Sequence, residues 1–435
     1  MAEPDGTIVA TNYWGPGKEA EHQYGVLYQA EWETPWDGTA VAARLHARAL
    51  AAQGLPVLLR SFSGVVVNNE GIPEPVFAVG IPDAVKAEVG GLHETSIGTL
   101  AIMVKHMVVR GQGALDGYLM PRHAIHSDPE VLLALRRAVY DSTIAFTVWE
   151  RDRVAPGIAA LLGRCAQTWV PCHQNAAALV RSGVPREKVQ IVPHPYDPTD
   201  PICRLTERRP FPDSKRFYAI GRWEPRKGFH ELIGAFMQAF RPGDDARLTI
   251  KTSPGTWKGY PSPEESIAEW LKRFDHWKNP ETLGQQLAID PRRYPRSRIL
   301  KLHFDHNIYV SSSHGEAWSQ PAFEAKLAGN RVVHVPFGGP ADFCEPEDTV
   351  VMHGMEPVPP IYGWEPDAEW ASFTVEALAA ALTKVEAPGA FVRPPHYERV
   401  FGFEAVGRQM AGLILSQLDG VDPKAAAWLR ERVKP

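Results

Sequence analysis

Cysteine is scarce in this sequence, with 4 residues among 435, and no two of them have the C-x-x-C spacing of redox or metal centres. They are Cys165, Cys172, Cys203 and Cys344. The 16 histidines show no H-E-x-x-H or similar ligand spacing. These absences argue against a disulfide framework and a zinc site. They favour reduced thiols in a cytoplasmic protein without a metal.

Long apolar runs are also missing. No stretch approaches the ~18 consecutive apolar residues that a membrane-spanning helix needs. The first residues, MAEPDGTIVATNYW, lack a basic segment followed by an apolar one, so we expect no signal peptide. The sequence therefore predicts a cytoplasmic protein without a membrane span.

The chain has no excess of positive charge. Its formal net charge is -5, with 16 Lys and Arg against 21 Asp and Glu in residues 1–200, and 30 against 30 in residues 201–435. Local basic stretches such as RLTERRP and DPRRYPRSR are most simply solvated surfaces. Neither half has the basic surplus of a dedicated nucleic-acid-binding protein.

The length of 435 residues exceeds what one hydrophobic core usually supports, so two domains are expected. Strand-like apolar runs alternate with helical patterns along most of the chain, which favours βαβ units and parallel sheets. A proline-rich stretch at 198–214 interrupts this alternation and is the predicted linker. We predict Rossmann-like domains at 1–197 and 215–395, and C-terminal helices at 396–435 that pack back toward the first domain.

The same patterns predict individual elements. Strands are expected at 55–62, 143–149, 168–171, 189–195, 216–222, 246–252, 299–304, 307–313, 331–337 and 349–352. Helices are expected at 40–54, 131–140, 157–164, 173–183, 228–240, 266–277 and 403–418. Ligands of open parallel sheets bind beyond the carboxyl ends of the strands, so the chemistry is expected in strand-to-helix loops.

One such loop is GRWEPRKG, residues 221–228. Arg222 and Lys227 stand beside the start of a predicted helix, where unpaired N–H groups and the helix dipole favour an anion. Glycine at 221 and 228 lets the backbone approach a bulky polyanion. The alternative is a surface turn in which Glu224 and Arg226 pair.

A second loop, HGEAWSQPAFEAKLAG, places two glutamates eight residues apart. Ser319 or Gln320 can cap the helix that follows, which puts Glu324 in its first or second turn and Glu316 on the loop before it. A carboxylate can accept from two vicinal hydroxyls, so the pair can bind a ribose and a sugar. The alternative is that Glu324 only complements the helix dipole while Glu316 is solvated.

Together these stretches resemble a known family. GRWEPRKG resembles the G-R-x-x-x-x-K-G signature of the family 4 retaining glycosyltransferases, and HGEAWSQPAFEAKLAGNRVVHVPFGGPAD resembles their E-x(7)-E block. TVWERD and TWVPCHQNAAALVRSGVPREKVQIVPHPYD resemble the end of their N-terminal domain. The likeness covers about 143–197, 216–252 and 305–352, with the tail helix. It implies the GT-B fold, two doubly wound Rossmann-like domains that face each other across a cleft.

The resemblance also implies roles for individual residues. Arg222 and Lys227 match the cations that bind the donor diphosphate and stabilise the leaving group. Glu324 matches the ribose-binding glutamate, and Glu316 matches the one that contacts the donor sugar. His126, with His123 as an alternative, matches a histidine of the first domain that faces the donor sugar; for both, a surface or capping histidine is the other interpretation.

Further residues are implied at the donor and acceptor sides. Gly38 matches the glycine loop of the first domain under the diphosphate, and Gly221 opens the anion loop. Trp318 is the one tryptophan expected to touch the donor, beside Ser319. Glu150 either lines the acceptor side or forms a buried ion pair with Arg151 or Arg153.

The implied reaction transfers a sugar from a nucleotide-diphosphate sugar to an acceptor hydroxyl with retention at the anomeric carbon. No cofactor or divalent metal is expected, because two cations face the diphosphate and no D-x-D motif is present. The acceptor is open: a glycan, a lipid, a protein or a modified nucleic-acid base. A nucleotide-sugar-binding accessory subunit without turnover is the alternative from another functional class.

The sequence also departs from the family pattern. Where the family commonly has E-G-F-G, this chain has Glu316, Ala317, Trp318 and Ser319, so both glycines are replaced. Residues 64–120 and 253–300 match poorly as well. These departures leave the donor base, the donor sugar, the acceptor and the oligomeric state undetermined by sequence.

Overall fold

The computed structural model describes most of the chain. The described residues are 21–34, 37–61, 65–67, 73–75, 81–107, 140–204, 214–253, 255, 257, 259–360, 367–388 and 395–434. The candidate histidines His123 and His126 and nearly all of the helix predicted at 131–140 lie outside them.

The first half contains eight described strands. They are β1 (His22–Ala30), β2 (Val57–Arg60), β3 (Val65–Val67), β4 (Pro73–Pro75), β5 (Ile97–Met107), β6 (Thr143–Thr147), β7 (Gln167–Val170) and β8 (Val189–Ile191). Six of them form a parallel sheet in the order β2-β1-β5-β6-β7-β8. The strands β3 and β4 form a separate antiparallel pair.

Four described helices accompany these strands: α1 (Gly38–Ala51), α2 (Asp83–Glu88), α3 (Pro156–Leu162) and α4 (His173–Arg181). The first helix is alanine-rich, and Asp37 caps it by accepting from the backbone N–H groups of Thr39 and Ala40. Its apolar face packs onto the sheet with Leu50 fully buried.

The second half repeats this architecture. Its strands are β9 (Lys215–Ile220), β10 (Ala246–Lys251), β11 (Leu287–Asp290), β12 (Ile308–Ser311), β13 (Arg331–His334), β14 (Gly354–Pro357) and β15 (Glu369–Ser372). The first five form a parallel sheet in the order β11-β10-β9-β12-β13, and the last two form an antiparallel hairpin. The helices here are α5 (Phe229–Ala239), α6 (Pro263–Arg273), α7 (Pro280–Gln286), α8 (Arg296–Asp305), α9 (Gln320–Leu327), α10 (Pro340–Phe343) and α11 (Val375–Lys384).

The chain ends in three helices, α12 (Pro395–Phe401), α13 (Phe403–Val421) and α14 (Pro423–Arg430). Val406, Met410 and Ile414 of α13 belong to the apolar core of the first sheet. Gly407 allows a close approach to α1, since a Cβ there would lie 2.3 Å from the Ala49 carbonyl oxygen. The last helices therefore pack on the first half of the chain, although they follow the second sheet in sequence.

Two predicted strands are corrected by the structure. Residues 299–304 belong to helix α8, in which His303 is buried and Ile299, Leu300, Leu302 and Phe304 are partly buried, so the apparent alternation in ILKLHF does not reflect the two faces of a strand. Residues 349–352 form no strand; the strand nearby, β14, begins at Gly354. Sequence reasoning also missed β1 and β5, which are adjacent in the middle of the first sheet.

In both sheets the direction of winding reverses once. In the second sheet the chain proceeds from β9 to β10 and β11 on one side, and then to β12 and β13 on the other. The boundary between β9 and β12 is therefore a topological switch point, where loops diverge and open a crevice at the carboxyl ends of the strands. Both sequence motifs begin at this boundary.

Candidate functional site

The loop after β9 runs from Gly221 to Gly228 and ends in a short 3-10 turn before helix α5. Gly228 adopts a left-handed conformation with φ 60°, and a Cβ there would lie 2.2 Å from the Ser312 carbonyl oxygen. A glycine is therefore required for this loop to pack against the loop after β12. Ser312 adds a hydrogen bond from its hydroxyl to the Lys227 carbonyl at 2.8 Å.

Lys227 and Glu316 form the centre of the site. The Lys227 ammonium donates directly to Glu316 Oε1, which also accepts from the Ser313 hydroxyl at 2.6 Å. The Glu316 side chain is only 8% exposed. The structure therefore brings together two residues that the sequence placed on separate loops, and it makes them direct partners.

Arg226 adds a second cation to Glu316. Its guanidinium lies 3.4 Å from Glu316 Oε2 and donates to the Gly315 carbonyl oxygen at 2.8 Å. It also donates to Glu224 at 2.8 Å, the pairing expected of a surface turn. Both partners are nearly buried, so the pair belongs to the site and not to a solvated turn.

These cations keep Glu316 ionised. Burial alone would raise the pKa of this carboxyl, but the charges of Lys227 and Arg226 and the hydrogen bonds from Lys227 and Ser313 lower it to about 2. A buried carboxylate is thus held in its charged form, with its oxygens positioned by three side chains.

Glu324 lies in the second turn of α9 and has a different set of partners. Its Oε2 accepts from Arg296 at 2.6 Å and lies 3.3 Å from His303 Nε2, while Gln320 donates to its other oxygen at 3.3 Å. Burial would raise its pKa, but Arg296 and His303 lower it to about 2. Arg296 also reaches Asp200 at 3.1 Å, in the segment between the two sheets.

Tyr309 of strand β12 lies close to both glutamates. Burial raises the pKa of its hydroxyl, and the negative charges of Glu316 and Glu324 raise it further. The hydroxyl donates to the Ile220 carbonyl oxygen at 3.2 Å, so it also contacts the end of β9. Both carboxylates therefore act on the Tyr309 hydroxyl at the switch point, and each has its own arginine.

The bend between the glutamates is strained. Ser319 precedes helix α9 with φ 66°, and it is the single non-glycine residue with positive φ in the described part of the chain. It occupies the capping position, as predicted, but its side chain makes no capping hydrogen bond. The serine therefore keeps the left-handed conformation that glycine adopts without strain.

Trp318 does not lie where the sequence placed it. The residue is 2% exposed, and its indole packs among Phe323, Phe343 and Phe401. The ring also contacts His194 of the first half, with centroids 5.2 Å apart. We expected a donor contact, but the ring points into an apolar cluster, because four aromatic rings there exclude water from it.

Two glycines after β13 complete the loop around Glu316. Gly338 has φ 104°, and a Cβ there would lie 1.7 Å from the Glu316 carbonyl oxygen. The backbone N–H of Gly339 donates to the same carbonyl at 3.1 Å. A Cβ at Gly339 would meet the backbone of Trp318 at 2.5 Å. The Gly-Gly loop therefore fixes the backbone of the first glutamate.

Arg222 is the most exposed member of the site, with 64% of its side chain accessible, and it reaches toward the first half of the chain. Its guanidinium lies 4.0 Å from Asp37, the cap of helix α1. Gly38 begins this helix, and no atom of the described residues lies within 4 Å of a Cβ built there. The structure thus brings Arg222 close to the start of helix α1, where Gly38 directly follows Asp37.

Glu150, which follows strand β6 of the first half, contacts a residue of the second half. Its carboxylate lies 3.1 Å from Arg226, whereas the neighbouring Arg153 pairs with Asp152 at 3.0 Å. Glu150 therefore forms an ion pair with Arg226 from the second half of the chain, and not with the expected Arg153. Burial raises the pKa of Glu150; Arg226 opposes this shift, and Glu316 and Glu224 add to it.

Sequence reasoning did not select Arg226 or Arg296 for the site. Arg226 occupies a variable position of the G-R-x-x-x-x-K-G signature, and Arg296 belongs to a basic stretch interpreted as solvated. The charges of both arginines were visible in the sequence, but their partners are distant in the chain. Gly315 is 89 residues from Arg226, and Glu324 is 28 residues from Arg296.

The described residues contain no group of three or more His, Cys, Asp or Glu side chains arranged to hold a metal ion. None of the described helices is long and apolar enough to cross a membrane. None of the four cysteines, all of which lie in the described part of the chain, forms a disulfide bond.

No family model matches the sequence, and no curated protein matches it either. Solved structures do match the fold. HepE from Anabaena, in complex with UDP, is 14% identical and superposes with a TM-score of 0.57 over 90% of this chain and 100% of that chain. A glycosyltransferase from Rickettsia africae is 12% identical, with a TM-score of 0.52 over 91% and 99% of the two chains.

HepE was also solved with UDP and glucose, and that structure is 14% identical with a TM-score of 0.54 over 91% of this chain and 100% of that chain. These likenesses extend over both parallel sheets. The predicted α/β architecture of GT-B type, with two doubly wound units, is therefore confirmed.

Proposed function

We propose that this protein is a nucleotide-sugar-dependent glycosyltransferase, related to the retaining enzymes of family 4, that transfers a sugar to an acceptor hydroxyl. The observation that carries the proposal is the Lys227–Glu316 contact at the switch point of the second sheet. It joins the two motifs of the sequence in one place, where open parallel sheets bind ligands. The shared fold with HepE, solved with UDP and glucose, supports a uridine nucleotide as the first donor to test.

In this proposal, Arg222 and Lys227 face the diphosphate of the donor. Arg222 is exposed and free to move toward a ligand, whereas Lys227 is nearly buried and already oriented by Glu316. Fixed cations aimed at the leaving group stabilise the negative charge that develops on it. In this proposal Arg222 and Lys227 supply the positive charge. That no metal ion is required stays a prediction.

The two glutamates hold different parts of the donor. Glu324 accepts from the ribose hydroxyls and Glu316 from hydroxyls of the sugar. Both are ionised at neutral pH because their pKa is lowered to about 2, so each offers acceptor oxygens only. Each oxygen has more than one acceptor direction, so the present ion pairs and a bound hydroxyl are compatible.

The two halves of the chain enclose the reacting groups. Asp37, Gly38 and Glu150 contact or face the second sheet from the first. An acceptor that enters between them meets the donor sugar near Glu316. Enclosure orients the acceptor hydroxyl and excludes competing water.

A thermal-shift screen with UDP-, GDP-, ADP-, CMP- and dTDP-linked sugars tests the proposal, because a ligand of the native state raises its stability. We expect one nucleotide class to raise the melting temperature and the corresponding sugar donor to be hydrolysed slowly without acceptor. If no nucleotide sugar binds, the proposed glycosyltransferase activity is excluded. Binding without hydrolysis or transfer to any acceptor indicates the accessory subunit.

Retention at the anomeric carbon has its own test. Once an acceptor is found, the configuration of the product is read from the coupling constant of its anomeric proton, beginning from an α-linked donor. We expect an α-linked product. A β-linked product contradicts the relation to retaining enzymes, although it leaves the glycosyltransferase assignment intact.

A further inference from the structure

Arg226 contacts three carboxylates from three segments of the chain. Its guanidinium donates to Glu224 at 2.8 Å, lies 3.1 Å from Glu150 and lies 3.4 Å from Glu316. Its fourth contact is the Gly315 carbonyl oxygen at 2.8 Å. An arginine offers five N–H donors in a fixed plane, so one side chain can hold this whole arrangement.

One of these carboxylates comes from the other half of the chain. Glu150 follows β6 of the first sheet, while Glu224, Arg226 and Glu316 belong to loops of the second. The Glu150–Arg226 ion pair is therefore present in one arrangement of the two halves and breaks when they separate.

The backbone at this junction is closely packed. A Cβ at Gly315 would lie 2.0 Å from the Glu150 carbonyl oxygen. Two residues later, the Asp152 N–H donates to the Glu369 carbonyl at 2.9 Å, and the Glu369 N–H donates to Asp152 Oδ1 at 2.7 Å. The segment around Glu150 is thus docked on the second half by its backbone, which brings its carboxylate to Arg226.

Carboxylates outnumber cations around Arg226. Three carboxylates, those of Glu150, Glu224 and Glu316, share the cations Arg226 and Lys227. Because negative charge is in excess, removal of any partner redistributes the others. Loss of Glu150 removes one of the contacts that fix the plane of the Arg226 guanidinium, so its orientation toward Gly315 and Glu316 becomes less defined.

We propose that Arg226 is a positioning residue that couples the arrangement of the two halves to the orientation of Glu316, through its ion pair with Glu150. The inference rests on the proposed function, in which Glu316 contacts the donor sugar. When the halves close, Glu150 draws the guanidinium into place, and the guanidinium fixes Gly315 and Glu316. When they open, this support is lost and the sugar is held less tightly.

The coupling predicts a selective effect on ligand binding. In the proposed function Glu316 contacts the sugar. A misplaced Glu316 therefore weakens the binding of the nucleotide sugar but leaves the binding of the nucleoside diphosphate unchanged. A general loosening of the cleft weakens the binding of both ligands. The ratio of the two dissociation constants therefore separates a positioning role from a merely structural one.

The experiment measures both constants by titration calorimetry, with the donor found in the thermal-shift screen and the corresponding nucleoside diphosphate. For Glu150→Ala and Arg226→Gln we expect the nucleotide sugar to bind about tenfold more weakly and the diphosphate to change by less than about twofold. Arg226→Lys retains the positive charge but loses the planar guanidinium with its several N–H donors. The ratio of its two dissociation constants should therefore lie between those of wild type and Arg226→Gln.

A double variant tests the pairwise coupling. If Glu150 acts through Arg226, the effects of Glu150→Ala and Arg226→Gln are not additive, and the double variant resembles Arg226→Gln. Additive effects overturn the coupling. His173→Ala is the matched control, because it removes another contact between the halves, to Asp342 at 2.9 Å, and within the described residues His173 makes no ion pair with Glu150, Arg226 or Glu316.

The outcomes distinguish this inference from the proposed function. Equal weakening of both ligands, or a changed ratio in His173→Ala, overturns the positioning role while the enzyme assignment stands. Failure of wild-type protein to bind any nucleotide sugar overturns both. Unfolding curves of each variant show whether it is folded; Glu150→Ala keeps the test valid if Arg226→Gln does not fold.

Discussion

The ammonium of Lys227 donates directly to the carboxylate of Glu316, across the boundary between strands β9 and β12. The two residues are 89 positions apart in sequence. Their contact exists because the sheet reverses its winding between these strands, so that consecutive motifs of the chain open onto the same crevice. The cation that we propose for the diphosphate and the carboxylate that we propose for the sugar therefore orient each other directly.

Replacing Lys227 tests the cation of this pair. In Lys227→Ala we expect kcat/KM for the donor to fall at least about tenfold, or roughly 1.4 kcal/mol, because the leaving diphosphate loses a fixed positive charge. Steady-state kinetics with the nucleotide sugar measure the change. Lys301→Ala is the control, since that lysine pairs with Asp305 at an exposed position of α8. Unchanged donor kinetics in Lys227→Ala contradict the site assignment.

Glu324→Ala tests the ribose contact. We expect kcat/KM for the donor to fall at least about tenfold, mostly through a higher KM, because ribose hydroxyls are bound in ground and transition states alike. The exposed Glu376, which pairs with Arg273, provides a control in Glu376→Ala. A fall in kcat alone would show that Glu324 acts on the chemical step instead.

Ser319→Gly relieves the strained bend between the glutamates. A left-handed conformation costs a residue with a Cβ roughly 1–2 kcal/mol, and part of this gain is offset by the greater freedom of glycine in the unfolded chain. We expect a net increase of about 0.5 kcal/mol in the free energy of unfolding, measured by urea denaturation. Ser319→Ala keeps the strain and should show no increase.

Gly338→Ala tests the loop that fixes the Glu316 backbone. The new Cβ would meet the Glu316 carbonyl oxygen at 1.7 Å, so the loop has to shift. Gly243 is a matched control, because its φ of 93° is similar and no atom of the described residues lies within 4 Å of a Cβ there. We expect Gly338→Ala to lose at least about 1 kcal/mol more stability than Gly243→Ala, and to bind donor more weakly. Equal losses contradict this role.

Buried histidines predict how stability depends on pH. Burial lowers the pKa of His46 to about 4 and lowers that of His106 and His194 well below its ordinary value. The unfolded chain binds protons near pH 6.5 that the folded protein excludes, so stability falls as pH decreases from about 6.5 toward 4. Glu316 and Glu324 add a further loss below about pH 4.5, because their folded pKa is lowered to about 2.

His194→Phe checks the histidine contribution. The ring is buried and packs on Trp318, with ring centroids 5.2 Å apart. A phenylalanine fills the same space and cannot be protonated, so the decline in stability between pH 7 and 5 should be smaller than in wild type. Urea unfolding at several pH values measures it; an unchanged slope rules out His194 as a contributor.

Much of the fold was accessible from local sequence patterns. Apolar runs at period 2 and helical faces at period 3.6 identified eight of the eleven strands of the two parallel sheets, and seven of the fourteen described helices. The pattern failed at 299–304, where a short run fits both periods, and tertiary burial of His303 selected the helix. The site motifs were also visible, because glycines, cations and carboxylates at strand ends have few structural uses.

The sequence by itself determined the doubly wound architecture and the strand-to-helix segments in which Lys227, Glu316 and Glu324 lie. Only the tertiary structure decided that Lys227 binds Glu316, that Trp318 points into the core, and that Arg226 and Arg296 accompany the two glutamates. The physical reason is range: hydrophobic period and backbone preference act over a few residues, whereas the partners of a buried charge are chosen by strand order, which brings distant segments together.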